Sequence, residues 1–350
     1  AKDADEPWVF WFGSNQPHRA YEYQSGVKVG GKSLADLPSV PSYWPDNEAV
    51  RHDILDYAFE VDYFDNTLGK FLAELERRGE LENTLIIVTS DNGMPFPRAK
   101  GQCYEIANHL PLAVRWPAGV KQPGIRVDDF VSFIDFAPTF LDAAGVDYAT
   151  SGMSAPSGRS LLPLLAATQS GQVDPTRDHV LIGRERHDPG RPDNAGYPIR
   201  GIVQGDLMYL HNFASDRWPA GNPETGYLDV DRSPTKDALI TARNTKGSDA
   251  HWSLNFGRRD ADELYHVVTD PENVFNLAAS PMHAAEVTRL RERLMTELIA
   301  QGDSRLTSGD PDYFDKFRFS NEAFNDLYER WKAGTLKLPH WGDPDPQAAN

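Results

Sequence analysis

The sequence predicts an α/β fold with a mainly parallel central sheet and a smaller α+β domain after it, and three observations predict it. Short continuous apolar runs at Pro7–Gly13 (PWVFWFG), Thr84–Thr89 (TLIIVT) and Pro111–Trp116 (PLAVRW) read as strands covered on both faces. Segments of helical spacing lie between and after them. Beyond GRSLLPLL (Gly158–Leu165) the runs shorten and a hairpin signal appears, as expected of a second, antiparallel unit.

Taken in order, Pro7–Gly13 is a short β-forming run, followed by a loop with Pro, Gly and Ser to about Asp46. From Ala49 to Arg78, apolar residues at Ile54, Leu55, Ala58, Val61, Leu68, Phe71, Leu72 and Leu75 keep mostly helical spacing. Gly79 suits the position just past that helix. Ile134–Ala144 predicts another helix, ended by Gly145. Val180–Gly183, Tyr197–Val203 and Leu207–His211 predict shorter strands, the last two joined by a turn at Gln204-Gly205-Asp206. A helix over Ala284–Ala300 follows, and then an aromatic-rich tail. The change of pattern places a boundary near residue 170, with 1–170 as the α/β part and 171–350 as the smaller domain.

Composition narrows the function. At 350 residues the chain is long enough to bury roughly three quarters of its unfolded surface. No apolar run approaches the ~20 residues of a membrane span, so no membrane partner is expected. The net charge of -17 argues against wrapping nucleic acid, which needs clustered Lys and Arg facing phosphates. An anionic substrate must instead meet a local cationic patch. A single cysteine, Cys103, excludes an internal disulfide and a multi-cysteine zinc site.

The chemistry concentrates in TSDNGMPFPRAK, Thr89–Lys100. Asp91-Asn92-Gly93 after an apolar strand fits a hairpin turn, yet Pro95 and Pro97 could not donate to a return strand. It equally fits a hard-cation site at the carboxyl end of a strand, where open α/β sheets place ligands. Two residues fall short there, because Ca²⁺ takes roughly six to eight oxygens. Lys100 fits either a surface lysine or the cation for an anionic group. His18, after Pro17, fits a loop residue as readily as a functional one. Arg184-Glu185-Arg186-His187-Asp188-Pro189-Gly190-Arg191 holds three Arg and one His in eight residues. That segment fits a solvated loop or a sulfate-binding one, since guanidinium forks match sulfate oxygens. The aromatics of DYFDKFRF (312–319) and LYERW (327–331) suit packing of a terminal helix or stacking on sugar rings.

TSDNGMPFPRAK, RWPAGV (115–120), FIDFAPTFLDAAGV (133–146) and GRSLLPLL together resemble the type I sulfatase family of the alkaline phosphatase-like superfamily, most closely its heparan N-sulfatase (sulfamidase) branch. The resemblance covers most of residues 7–300. It implies the alkaline phosphatase-like sandwich for the first part. It implies Asp91 and Asn92 as ligands of one divalent metal, usually Ca²⁺, and Lys100 as a sulfate contact. NQPHRAY resembles the family's histidine-bearing segment, which implies His18 at the sulfate and its leaving group. Arg186, His187 and Arg191 are the implied contacts to a sulfated saccharide substrate. An amide at position 92 favours a one-metal sulfatase over the two-zinc phosphatases and phosphodiesterases, which carry histidine there.

Sulfatases of this type use a formylglycine made from Cys or Ser in Cys/Ser-x-Pro-x-Arg, and the chain has no such motif. Cys103 precedes Tyr104-Glu105-Ile106-Ala107, and in Ser154-Ala155-Pro156-Ser157-Gly158-Arg159 the Arg falls one residue late. In the family the nucleophile and two more Asp ligands precede the first strand here. The expectation is therefore the C-terminal portion of a sulfatase, inactive by itself, with an N-terminal segment or chain completing the site. The family's habit of secretion implies a secreted, periplasmic or lysosomal setting. A phosphodiesterase or phosphatase of the superfamily and a non-catalytic sulfated-glycan-binding module remain the alternatives.

Overall fold

The computed structural model describes residues 7–246 and 250–339. Two compact units form: residues up to 16, 63–89 and 111–180 make the first, and 17–62, 90–110 and 181 onward make the second. The α/β class holds, with helices and sheets interleaved along the chain.

The long helix spans Glu48–Arg77, through Asp62 in the second unit and beyond it in the first. Gly79 follows with φ +70°, the left-handed backbone that a glycine accepts without strain. In the first unit, β1 (Ile86–Thr89) and β2 (Leu112–Arg115) pair antiparallel, Ile86 opposite Arg115 and Thr89 opposite Leu112. Leu68 and Leu72 of the long helix line a small apolar cavity with Ile86, Val88 and Ala113. The helix Phe136–Ala143 is anchored by Asp135, which accepts from Arg177 Nη1 at 2.8 Å and from the Arg159 amide at 2.7 Å.

Two expectations are corrected here. The strand pairs registered among the described residues run antiparallel, not mainly parallel. A continuous apolar run reports burial on both faces and says nothing of a neighbour's direction. The loop from β1 to β2 holds only a four-residue helix, Glu105–Asn108, and so lacks the helical crossover usual between parallel neighbours. Pro7–Gly13 is irregular rather than a strand, with Val9 and Trp11 more than four fifths exposed. Its β-forming side chains find rings instead of a backbone ladder: Phe12 lies 4.7 Å from Phe71 and 6.4 Å from Phe64, centroid to centroid.

The second unit contains a four-stranded sheet ordered β3 (His179–Arg184), β4 (Ile199–Gln204), β5 (Leu207–Asn212), β6 (Asp262–His266). Gln204 pairs with Leu207, so Gly205 (φ +54°) and Asp206 form the hairpin turn. Ile202, Tyr209 and Leu264 lie opposite one another across β4, β5 and β6 and so share one face. Leu290, Leu294 and Leu298 of the helix Ala284–Ala300, spaced four apart, bury against that face. A second core joins Tyr43, Trp44, Phe96, Tyr227 and Phe256, with Trp44 stacked on Phe96 and Tyr227 on Phe256.

The contact units do not coincide with a cut at residue 170, because residues 17–62 and 90–110 supply Tyr43, Trp44 and Phe96 to the core of the later chain. Truncation of Leu294, fully buried, should destabilise the protein by about 3 kcal/mol. Chemical denaturation of Leu294→Ala checks this; a loss under ~1 kcal/mol would contradict the packing described.

Candidate active site

All seven residues singled out in the sequence fall in the second unit. The Ser90–Leu110 segment makes no return strand, which removes the hairpin reading of Asp91-Asn92-Gly93. The Gly93 amide donates to Ala107 O at 3.1 Å, and a Cβ at Gly93 would lie 2.2 Å from Ile106 O. That close approach requires glycine. The carbonyls of Pro95 and Pro97 accept from Arg19 Nε (2.7 Å) and Trp44 Nε1 (3.2 Å), which ties the turn to Arg19 and Trp44. Lys100 N closes the turn on Met94 O at 3.2 Å.

Lys100 emerges from this turn with Nζ 3.0 Å from Asp231 Oδ2 and 3.4 Å from His18 Nε2. His18 Nδ1 contacts Arg19 O at 2.5 Å, and a carbonyl only accepts, so Nδ1 carries a proton. In the neutral ring Nε2 is then the lone pair turned toward Lys100. The next residue fixes the loop: Arg19 grips buried Asp53 through two N–H groups at 2.7 and 3.0 Å, and Thr235 Oγ1 donates to the same carboxylate at 2.6 Å.

The Arg184–Arg191 segment is divided by burial. Asp229, fully buried, accepts from His187 Nδ1 at 2.9 Å, the Asp188 amide at 2.8 Å and Arg191 Nη2 at 2.6 Å, with Arg184 Nη1 3.7 Å away. Burial alone would raise the Asp229 pKa, but Arg191, then Arg184, then His187 hold it well below the carboxylate range. Burial likewise disfavours charge on His187, yet the hydrogen bond and charge of Asp229 outweigh it and place its pKa above the ordinary 6.5. The imidazole lies on Gly101, where a Cβ would stand 2.6 Å from Nδ1 and φ is +74°. Asp188 is pushed up by burial and by the charges of Asp229 and Asp231, against His187 and Lys100.

Arg191 is not a surface donor: it is 3% exposed and gives Nε to Trp218 O and Nη2 to Pro219 O as well as to Asp229. Arg186 turns away, over the Phe319 ring at 3.9 Å with Nη1 on Asn194 O. Glu185 is held by Arg200 and Arg305 at 2.5 and 2.6 Å. His187 is thus the member of that segment that packs on Gly101, the residue after Lys100. Sequence reasoning missed Asp229 and Asp231. Their one signal is the alternation Asp229-Val230-Asp231 in an otherwise apolar stretch, which also reads as a polar loop.

Asn92 Nδ2 donates to Asp91 Oδ1 at 3.2 Å. Among the described residues neither side chain is hydrogen-bonded or ion-paired to Lys100 or His18, and no group of three or more His, Cys, Asp or Glu is placed to hold a metal ion. The oxygens suit a hard cation, but two side chains do not make a shell for one. Cys103 is buried, and burial pushes its thiol up to about 11, so it supplies no thiolate at neutral pH.

The fold falls in the class of alkaline phosphatase-like α/β proteins. A solved structure of a protein bound to its substrate, D-glucosamine-2-N,6-O-disulfate, superposes with TM-score 0.51 at 23% identity, over 75% of this chain and 43% of that one. Phosphonate monoester hydrolase of Agrobacterium radiobacter gives TM-score 0.50 at 20% identity, over 74% and 43%. Both are likenesses of fold, that of the alkaline phosphatase-like proteins.

The chain belongs to the sulfatase family: residues 1–146 match the Sulfatase family model. Human N-sulphoglucosamine sulphohydrolase is 30% identical over 317 residues, 83% of this chain and 60% of the relative. The chain spans about half the length of the curated relatives it matches.

The raised pKa of His187 has a consequence for stability. A charged His187 stabilises the fold fully below its ordinary 6.5, and that contribution is lost as pH rises through the higher folded value. The unfolding free-energy difference between the native chain and His187→Gln should therefore shrink as pH is raised from 6 to 9. Denaturant titrations at both pH values check this, and an unchanged difference would contradict it.

Proposed function

We propose that this chain is the C-terminal portion of a sulfatase that hydrolyses sulfate esters or sulfamates of a heparan-type glucosamine. The observation that carries the reading is the meeting of Lys100 with His18, 82 residues away, and with Asp231, 131 residues away, beside the His187 segment. Residues so distant in the chain converge on one cation that an anionic group can approach. The likeness to a glucosamine N-sulfohydrolase supports the saccharide class.

On this reading, Lys100 Nζ binds a sulfate oxygen, exchanging Asp231 for the substrate charge. In its doubly protonated form His18, held through Nδ1 by the Arg19 carbonyl, gives the Nε2 proton to the departing oxygen or nitrogen as its bond to sulfur breaks, which leaves the neutral ring with its Nε2 lone pair toward Lys100. A formylglycine from outside these 350 residues would supply the nucleophile to sulfur. Asp91 and Asn92 would contribute two oxygens to one divalent cation, Ca²⁺ on this reading, which would need further ligands. Residues 1–170 belong to the sulfatase α/β domain and 171–350 to the smaller one in chain order. The compartment is secreted, periplasmic or lysosomal; among the described residues no helix is long and apolar enough to cross a membrane.

The 350-residue chain should bind N-sulfated glucosamine without releasing sulfate, and Lys100→Ala should weaken binding roughly 10- to 100-fold, the loss of one charge-assisted hydrogen bond. Calorimetry and a sulfate-release assay check both. Release at an intact sulfatase's rate would overturn the outside nucleophile, and equal binding by the variant would overturn the role of Lys100. A second reading, a phosphoryl or phosphonyl hydrolase, takes its support from the fold shared with the phosphonate monoester hydrolase. Tighter binding of a phosphonate monoester than of the sulfated sugar would favour it. A non-catalytic glycan-binding module is favoured if the complete protein binds the sugar and still lacks formylglycine.

A further inference from the structure

We propose that Asp229 is the positioning residue of His187, fixing the imidazole with Nδ1–H inward and charged so that Nε2–H is the donor presented to an anionic saccharide. The proposal rests on the reading of His187 as a saccharide contact and names what makes it one.

The geometry is specific to Asp229. His187 Nδ1 is 2.9 Å from Asp229 Oδ1 but 3.8 Å from the nearer carboxylate oxygen of Asp188, whose own amide is bound by the same Oδ1. Nε2 makes no hydrogen bond among the described residues, so it is the nitrogen left for a ligand. The ring packs close on Gly101, where a Cβ would stand 2.6 Å from Nδ1. Asp229 is itself fixed: Arg191 holds Oδ2 at 2.6 Å while donating to two carbonyls, and Arg184 donates to Gly101 O and Pro219 O. The carboxylate is thus locked on one side by guanidinium groups and on the other by imidazole.

The charged groups acting on His187 are Asp229 from the segment after Gly226, Asp188 on its own loop and Arg184 at the end of β3. Lys100 and Asp231 act on Asp188 beside it. Of these, Asp229 is the carboxylate hydrogen-bonded to the ring. Burial and Arg184 both favour the neutral imidazole, so without the Asp229 charge the ring loses its proton at lower pH. A merely structural Asp229 would leave an affinity loss equal at both ends of the pH range.

The test uses the 350-residue chain with ¹⁵N-labelled histidine, titrated by NMR, and the affinity for N-sulfated glucosamine at pH 5.5 and 7.5. In Asp229→Asn the His187 titration should fall by at least one pH unit. Its affinity should drop more than tenfold at pH 7.5 and recover to within about threefold at pH 5.5. An unmoved titration, or an affinity loss equal at both pH values, would overturn the proposal. Removing the charge leaves Arg191 and Arg184 uncompensated, so Asp229→Asn with Arg191→Gln serves if the single variant does not fold, with the same expectations. His187→Gln should reduce the pH dependence of binding between 5.5 and 7.5, and an undiminished dependence would count against the proposal. A shifted titration in a chain that binds no sulfated sugar at any pH would sink the functional reading while leaving the pairing of Asp229 and His187 intact.

Discussion

The buried carboxylate of Asp229 is the constraint on which the candidate site depends. A charge removed entirely from water survives only if its oxygens are fully matched, and here two guanidinium groups, one imidazole and one backbone amide do the matching. All four partners come from one stretch of chain: Arg184 ends β3, and His187, Asp188 and Arg191 lie in the loop after it, while Gly101, which accepts from Arg184, adjoins Lys100. The position of Lys100 is therefore tied to a group that itself need not touch a ligand.

A second buried carboxylate does the same for His18. Asp53, on the long helix, binds Arg19 in a two-pronged contact and accepts from Thr235. His18 sits on an exposed loop that has no secondary structure to hold it, so this ion pair defines where its ring lies. The rings of Tyr21 and Phe96, each 4.5 Å from the Arg19 guanidinium carbon, add apolar cover to the same grip. Both histidines of the site thus have Nδ1 committed to a fixed acceptor, a carbonyl for His18 and a carboxylate for His187. The difference in acceptor charge separates their roles: the carbonyl sets a tautomer, whereas the carboxylate also favours a cation.

The polarity of the site is mixed, which bears on what it can bind. Lys100 is matched by Asp231, and the Asp188 carboxyl is raised by burial and then by its acidic neighbours Asp229 and Asp231. An anionic ligand at Lys100 has to replace Asp231 there.

The helices were legible because a 3.6-residue period survives any packing arrangement: Ala284–Ala300 and the long helix appear within a residue of where the apolar stripe and the closing glycine put them. The β4–β5 hairpin was legible through Gly205 for a similar local reason. The helices Pro234–Lys246 and Ala250–Phe256 and the strand Asp262–His266 were not read, since DELYH buries Glu263 among apolar residues and so hides its alternation. Pro7–Gly13 has strand-forming side chains without a ladder, and the direction of β1 against β2 is a property of the pair that neither run encodes. By itself the sequence determined the helical periods, the turn chemistry, the absence of a Cys/Ser-x-Pro-x-Arg motif and the residue types able to meet sulfate. Only the tertiary structure decided that Lys100 meets His18 and Asp231, that Arg191 is buried and Arg186 turned aside, and that Asp229 orients His187. Those are contacts across long stretches of chain, set by which buried charges find partners, and no local pattern records them.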